Sequence, residues 1–434
     1  MDPSIVGAIG FVSIFVLISL GMPIGISFLT IGFVGTAYLA GVDSALSALA
    51  RTPFTWITDY VFMTVPLFVL SGVLIAKSGV ANELFAVAYK WLGRLPGGLA
   101  MATMGAIGLF GAISGSSTAG VATMSTVCYP EMKRYKYQDR LATGCIVAGG
   151  GIDLMIPPSL GFIIFGIMTE ESIGKLFLAG VLPGILQISS FMLLIYVLVR
   201  LNPAIAPIEA GERFTWYEKF ASLRHLWSVI VLFGVVLGGI YLGLFTPIEA
   251  GAVASAGAFV IVVITGRLSW RILLDSLLET TTVTVIILTL LLGAMVFNVF
   301  LTLSGLPQEI AGLLDNVGSP MIGLLLILAI YMPLGMVMDA TAMIVLSLPL
   351  FLPFLINNDI NLIWFGVLLM MMVQIGLITP PIGMNVFVVK TIIPQVAVKD
   401  VFWGSLPFVV VNFILLILLI MFPEISLYLP GVMR

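Results

Sequence analysis

Nine residues, Gly111-Ala-Ile-Ser-Gly-Ser-Ser-Thr-Ala119, form a polar interruption between two apolar runs at about 97–112 and 117–132. Each run falls short of the roughly 20 apolar residues that a helix needs to span a bilayer. Glycine and serine at that depth expose amides and carbonyls that lipid cannot satisfy, so they must be buried in protein or line a wet cavity. The pattern predicts a re-entrant hairpin, two helices meeting at a tip inside the membrane. A shift of 224 residues lays Gly111 on Gly335 and Ser114-Gly-Ser-Ser117 on Met338-Asp-Ala-Thr341, so the device recurs.

Composition agrees with a membrane setting. Of 434 residues, 60% are hydrophobic and 9% charged, and the mean hydropathy is +1.21. A chain of this length and composition reads as an all-α polytopic membrane protein. The net charge of −3 carries little information, because the few charges sit in loops whose sidedness matters more. Cys128 and Cys145 fall in apolar segments, where buried, reduced thiols are expected. Asp2 precedes the apolar residues 4–20 where a basic stretch would mark a signal peptide, so this segment is expected to remain as the first helix.

In chain order, apolar spans at about 4–20 and 24–40 are broken by Gly21-Met-Pro-Ile-Gly25. An amphipathic stretch at 41–55, with Asp43 and Arg51, suits the interface. A span at 56–76 ends at Lys77, and a short helix at 80–92 leads to the hairpin. After the basic loop Lys133-Arg-Tyr-Lys-Tyr-Gln-Asp-Arg140, the span at 141–168 is broken by Gly149-Gly-Gly-Ile-Asp-Leu-Met-Ile-Pro-Pro158. A proline pair behind a glycine triplet removes backbone donors and opens a helix. A full span at 175–200 closes the half, and residues 201–225 form the substantial linker.

The second half repeats the plan. Pro23-Ile matches Pro247-Ile and Pro96 matches Pro320 at 224 residues, while Pro157-Pro158 matches Pro380-Pro381 at 223. Lys175-Leu-Phe-Leu-Ala-Gly-Val-Leu-Pro183 matches Lys399-Asp-Val-Phe-Trp-Gly-Ser-Leu-Pro407. Agreement at nearly one offset along the chain indicates duplication. The units are 1–200, with a hairpin at 97–132 and a broken helix at 141–168, and 226–434, with a hairpin at 320–354 and a broken helix at 363–392. Residues 201–225 join them. The first hairpin's open end carries Lys77, Lys90, Arg94, Lys133, Arg134, Lys136 and Arg140, whereas the matching end of the second carries Glu309, Asp315 and Asp359. Under the positive-inside rule the two ends face opposite sides. The N-terminus is then outside, the linker inside, and of the 18 lysines and arginines all but Arg51, Lys175 and Arg434 are cytoplasmic. Inverted repeats with broken helices are the plan of secondary transporters, whose substrate and ion sites lie near the midplane.

Candidate ligands follow from that plan. Ser114, Ser116, Ser117 and Thr118 offer hydroxyls beside Gly115, and an unwound tip adds carbonyls, which together suit a sodium ion; close helix packing by small residues is the alternative. Asp339 is an acid inside a span, with Thr341 beside it, and is a candidate for ion coupling or gating, or for a structural pair with a buried donor. The second break, Gly376-Leu-Ile-Thr-Pro-Pro-Ile-Gly-Met-Asn385, offers the Thr379 hydroxyl, freed carbonyls and the Asn385 amide; the first offers Ser159. Helix N-termini behind each proline pair suit an anion. Asp153 is a second intramembrane acid, Glu249 is expected to be interfacial and structural, and His225 interfacial.

Together, Ser114-Gly-Ser-Ser117, Ile156-Pro-Pro-Ser159, Thr246-Pro-Ile-Glu-Ala250 and Thr379-Pro-Pro-Ile-Gly-Met-Asn385 resemble the large membrane subunit of tripartite ATP-independent periplasmic (TRAP) transporters, the DctM-like family. The resemblance covers essentially the whole chain. It implies an elevator-type, sodium-coupled importer of an organic anion, such as a dicarboxylate or sugar acid, in the bacterial inner membrane. It also implies two partners, a small four-helix DctQ-like membrane subunit and a soluble DctP-like periplasmic binding protein. Carried onto this chain, it puts sodium at Ser114, Gly115, Ser116, Ser117, Asp339, Thr341, Gly376, Thr379 and Met384. Substrate is put at Ser116, Ser117, Thr118, Ser159 and Asn385. Sodium is then the one cofactor, with no organic cofactor, transition metal or nucleic acid involved.

Two positions depart from the family pattern. Asp153 stands where a glycine or small residue is expected, and the second tip, Met338-Asp-Ala-Thr-Ala342, is a variable region. No fused small subunit precedes the first repeat, so a separate one is expected. Catalysis is disfavoured: the patterns of intramembrane aspartyl proteases are absent around Asp153 and Asp339, and one histidine cannot make His-Glu-x-x-His. The competing reading is a stand-alone ion-coupled carrier of similar fold that needs no binding protein. No arginine lies at a tip or break, so specificity is expected to rest largely with the binding protein.

Overall fold

The computed structural model describes residues 1–114, 117–207 and 214–433, with side chains described for all of these except 53, 55–57 and 112–114. Among the described residues the chain is helical throughout, without strands. Among the described residues, eight helices are long and apolar enough to cross a membrane. Large apolar side chains such as Leu193, Ile230, Ile286 and Ile414 point outward and exposed, as a lipid-facing surface requires.

Short polar residues start the helices. Asp2 caps Pro3–Ser19, Ser172 caps Ile173–Leu201, Ser319 caps Pro320–Val337 and Asn361 caps Leu362–Ile378, each accepting an amide proton from the first turn. Thr246 and Glu249 form a reciprocal capping box at the start of Pro247–Ile264, which gives Glu249 a structural place at the helix end. In the linker, Thr215 and Glu218 do the same for Trp216–Ser222.

Each half contains a hairpin and an interrupted helix. The first hairpin pairs Gly98–Ser114 with Ser117–Arg134, and the second pairs Pro320–Val337 with Ala340–Asn357. At 17 or 18 residues these helices rise about 26–27 Å, somewhat less than the roughly 30 Å hydrocarbon layer. The first interrupted helix runs Asp139–Gly149, breaks, and resumes as Leu160–Thr169; the second runs Leu362–Ile378 and resumes as Met384–Ile392. Both breaks contain a cis proline–proline bond, Pro157-Pro158 and Pro380-Pro381.

The halves differ after their first two spans: Val42–Ile57 is a separate amphipathic helix, whereas Trp270–Ser304 is one helix of 35 residues. In the first half Asp59 accepts the Val61 amide proton at 2.9 Å and starts a new turn. The second half has no such cap, and Thr281 and Thr282 bond to carbonyls four residues back within the helix, at 2.8 Å each.

Glycine seams set the packing. A Cβ on Gly293 would lie 2.2 Å from the Gly25 carbonyl oxygen, so Trp270–Ser304 and Ile24–Ala40 touch backbone to backbone, with Phe28 stacked on Phe297 beside them. Pro247–Ile264 packs on Thr64–Lys77, where Ser255 donates to the Leu67 carbonyl. Asp139–Gly149 and Val398–Met421 meet at Gly144 and Gly404. Ion pairs Lys77–Glu279 and Arg140–Asp400, at 2.8 and 2.7 Å, join the halves near this end, as does Arg267–Glu83. His225 Nδ1 stands 4.0 Å from Glu83. Cys128 and Cys145 are buried free thiols.

Candidate functional site

Four helix N-termini converge on one cavity of about 100 Å³. Ser117 and Thr118 open the second helix of the first hairpin, and Ala340 and Thr341 that of the second, while Leu160 with Gly161 and Met384 with Asn385 restart the interrupted helices. Asp339, Leu154 and Leu377 complete the lining. A helix N-terminus carries about half a positive charge. A wall built from four of them in a low-dielectric surround favours anionic groups.

The complementary helix ends point carbonyls toward the same region. Gly98–Ser114 and Pro320–Val337 end at the tips, and Asp139–Gly149 and Leu362–Ile378 end at the breaks. Their last carbonyls are partly taken. The Ser117 hydroxyl donates to the Gly150 carbonyl, Ser405 to Ile378 at 3.2 Å, and the Gly383 amide to Met336 at 3.3 Å. Carbonyl ends of helices favour cations.

Asp339 is the acid on the cavity wall. It caps Ala340–Asn357, its Oδ1 accepting the Thr341 and Ala342 amide protons at 2.9 and 3.1 Å. Asn385 is fully buried and crosses between the breaks, donating to the Val147 carbonyl at 3.4 Å while its Oδ1 has no partner.

The cavity brings together Ser117, Thr118, Asp339, Thr341, Met384 and Asn385 from the sequence-derived set. Ser159, Thr379 and Gly376 are not on its lining. Ser159 is fully buried and donates to the Leu154 carbonyl at 2.9 Å, and Thr379 donates to Ile375 one turn back. Gly376 lies against Gly335, where either added Cβ would come within 3 Å of the other's Cα. Gly115, Ser116 and the side chain of Ser114 lie outside the described residues.

One polar group escaped the sequence reading. Gln187, Gln374 and Asn412, all buried, form a cluster in which Gln187 Nε2 donates to Gln374 Oε1 and, at 2.9 Å, to Asn412 Oδ1. The signal was available: lone amides in apolar spans, with Gln187 and Asn412 related by 225 residues. Gln187→Leu strands two buried acceptors and is expected to lower stability by about 1–2 kcal/mol. A fall in the thermal midpoint of the purified protein measures it, and an unchanged midpoint would show the cluster to be energetically idle.

A family model described as tripartite ATP-independent periplasmic transporter, DctM component, matches residues 11–425. The chain is 34% identical over 399 residues to the C4-dicarboxylate TRAP transporter large permease protein of Pseudomonas aeruginosa, covering 91% of this chain and 92% of that one. It is 31% identical to the sialic acid TRAP transporter large permease protein of Vibrio cholerae, with 94% and 95% covered. The 2,3-diketo-L-gulonate large permease protein of Escherichia coli is 32% identical, again with 94% and 95% covered. Among solved structures, the YdaH transporter of Alcanivorax borkumensis, described as having an unusual topology, superposes with a TM-score of 0.57 at 14% identity over 98% of this chain and 100% of that one. That likeness concerns the fold alone.

Proposed function

Because the chain belongs to the DctM family of tripartite ATP-independent periplasmic transporters, we propose that it is the large permease subunit of a sodium-coupled importer of an organic acid. It is a transporter subunit and not an enzyme. The observation that carries the reading is the convergence of four helix N-termini and an acid-capped tip on a single cavity. In this reading the substrate carboxylate faces the N-terminal amides at Ser117, Thr118 and Asn385. Sodium takes the carbonyl ends near both tips, with Ser117, Thr341 and the Asp339 carboxylate as side-chain ligands. The substrates in the relatives' names, a C4-dicarboxylate, sialic acid and diketogulonate, support an organic acid.

Size suggests how transport proceeds. The cavity has the volume of about three waters, whereas pockets for small organic ligands hold roughly 300–1,000 Å³. It suits ions and water as it stands, and an organic acid requires the tips to part. We read the helices Ile24–Ala40, Thr64–Lys77, Pro247–Ile264 and Trp270–Ser304, which pack on one another, as the frame. The hairpins and interrupted helices move against it as an elevator, and the halves are read as inverted repeats with the N-terminus periplasmic in a bacterial inner membrane. Moving one charge through 100 mV is worth about 2.3 kcal/mol, so concentrating a dicarboxylate against the potential requires at least two sodium ions.

The family's tripartite organisation supports two partners, a small membrane subunit and a periplasmic binding protein. The test is uptake of labelled organic acids into proteoliposomes under a sodium gradient, with each partner supplied or withheld. Uptake that needs all three components is the expected result. Uptake by this chain alone would make it a stand-alone carrier.

A further inference from the structure

Away from the ion cavity, a groove of about 360 Å³ lies between the first hairpin and the helix Trp227–Tyr241. It is lined by Gly105 and Gly108 of Gly98–Ser114, by Ile185 and Ile188 of Ile173–Leu201, and by Ile230 and Phe233 of Trp227–Tyr241, and no lining residue carries a polar side chain. The two glycines present no side chain, which keeps the groove open. Ile185 and Ile230 are 55% and 60% exposed, so the groove opens on the lipid-facing surface. Ile156, in the first break, also lines it. Trp227–Tyr241 packs on the frame helix Pro247–Ile264, so the groove lies on the seam between the frame and the hairpin.

One end of the groove lies near the membrane–water interface. Trp216, Tyr217, Phe220 and Trp227 are exposed at the start of this span, and aromatic residues of this kind gather at headgroup level. Val229, Ile230 and Phe233, which line the groove, follow Trp227 within about 3–9 Å of helix rise. Two cations stand in the same stretch. Lys219 lies over the Trp216 ring at 5.2 Å, and Arg224 donates to His225 at 3.5 Å. Neither forms an ion pair among the described residues. The neighbouring acids are engaged elsewhere, Glu218 in the capping box with Thr215 and Glu83 with Arg267.

Size and polarity together select the occupant. Without polar partners the groove cannot hold ordered water. A transmembrane helix, about 10 Å across, is too wide for a volume of roughly a dozen methylene-sized groups. A single acyl chain fits, and free cations beside the mouth favour an anionic headgroup. We propose that the groove binds one acyl chain of an anionic phospholipid, with its phosphate against Lys219 and Arg224. The bound chain packs against Ile156 at the back of the first break and bridges frame and hairpin. The elevator reading gives this seam its motion, but the lipid site stands without it.

The test counts lipids on the purified full chain by native mass spectrometry after equal addition of phosphatidylglycerol and phosphatidylcholine. Wild type is expected to retain one phosphatidylglycerol in preference to phosphatidylcholine. Ile230→Trp, at an exposed position, fills the groove and loses that lipid, while Ile286→Trp, 62% exposed on another span and outside the groove, keeps it. Replacing Lys219 and Arg224 together by glutamine is expected to abolish the preference for phosphatidylglycerol. Wild-type retention in Ile230→Trp, or equal retention of the two lipids by wild type, would overturn the proposal. Uptake and sodium play no part in this readout, so failure of the transporter reading would leave the lipid count unchanged.

Discussion

Replacing Asp339 by asparagine is expected to raise the sodium concentration for half-maximal uptake at least about tenfold, equivalent to about 1.4 kcal/mol, while leaving the thermal midpoint unchanged. Asp339 is read as having two roles, a helix cap and a sodium ligand. Its Oδ1 caps Ala340–Asn357 through the Thr341 and Ala342 amides, and Asp339 lines the cavity. Asparagine caps a helix about as well as aspartate, so the substitution keeps the first function and removes the charge. Asp339→Ala loses both and should also cost about 0.5–2 kcal/mol of stability. Sodium titrations of uptake separate the two roles. Equal sodium dependence in wild type and Asp339→Asn would reduce Asp339 to a helix cap.

Gly404→Ala is expected to destabilise the protein by about 3 kcal/mol, at the upper end of overpacking effects. A Cβ there would lie 1.9 Å from the Arg140 carbonyl oxygen, and one on Gly144 would lie 2.2 Å from the Gly404 carbonyl oxygen. These neighbours are backbone, so no side chain can swing aside. The helices Asp139–Gly149 and Val398–Met421 must separate, and the Arg140–Asp400 pair at 2.7 Å weakens with them. Gly238→Ala is the control, because nothing lies within 4 Å of the position and its backbone is helical. Thermal midpoints in detergent compare the two. A Gly404→Ala midpoint matching the control would mean that the seam is looser than its geometry.

The broad architecture was legible because membrane burial punishes irregular backbone. Polar tips and proline pairs inside apolar runs have few permitted meanings, and the two tips and two breaks fall where the helices stop. Ligand direction was less legible. Ser159 and Thr379 carry the right hydroxyls at the right breaks, yet each bonds to a carbonyl of its own chain a turn away. That local competition cannot be seen in residue type. Without a capping acid like Asp59, Trp270–Ser304 runs on as one helix where the first half starts a new turn. The cluster of Gln187, Gln374 and Asn412 depends on three spans meeting, which the single-span patterns did not reveal.

The most direct test of the cavity as an alternating-access sodium site is labelling of Thr118→Cys by a membrane-impermeant maleimide. Thr118 is exposed at the first tip and lines the cavity, while Cys128 and Cys145 are buried and silent. The expected result is labelling from either face in oriented vesicles, slowed by sodium and unaffected by potassium at equal ionic strength. Labelling from one face only, at a rate indifferent to sodium, would contradict the account.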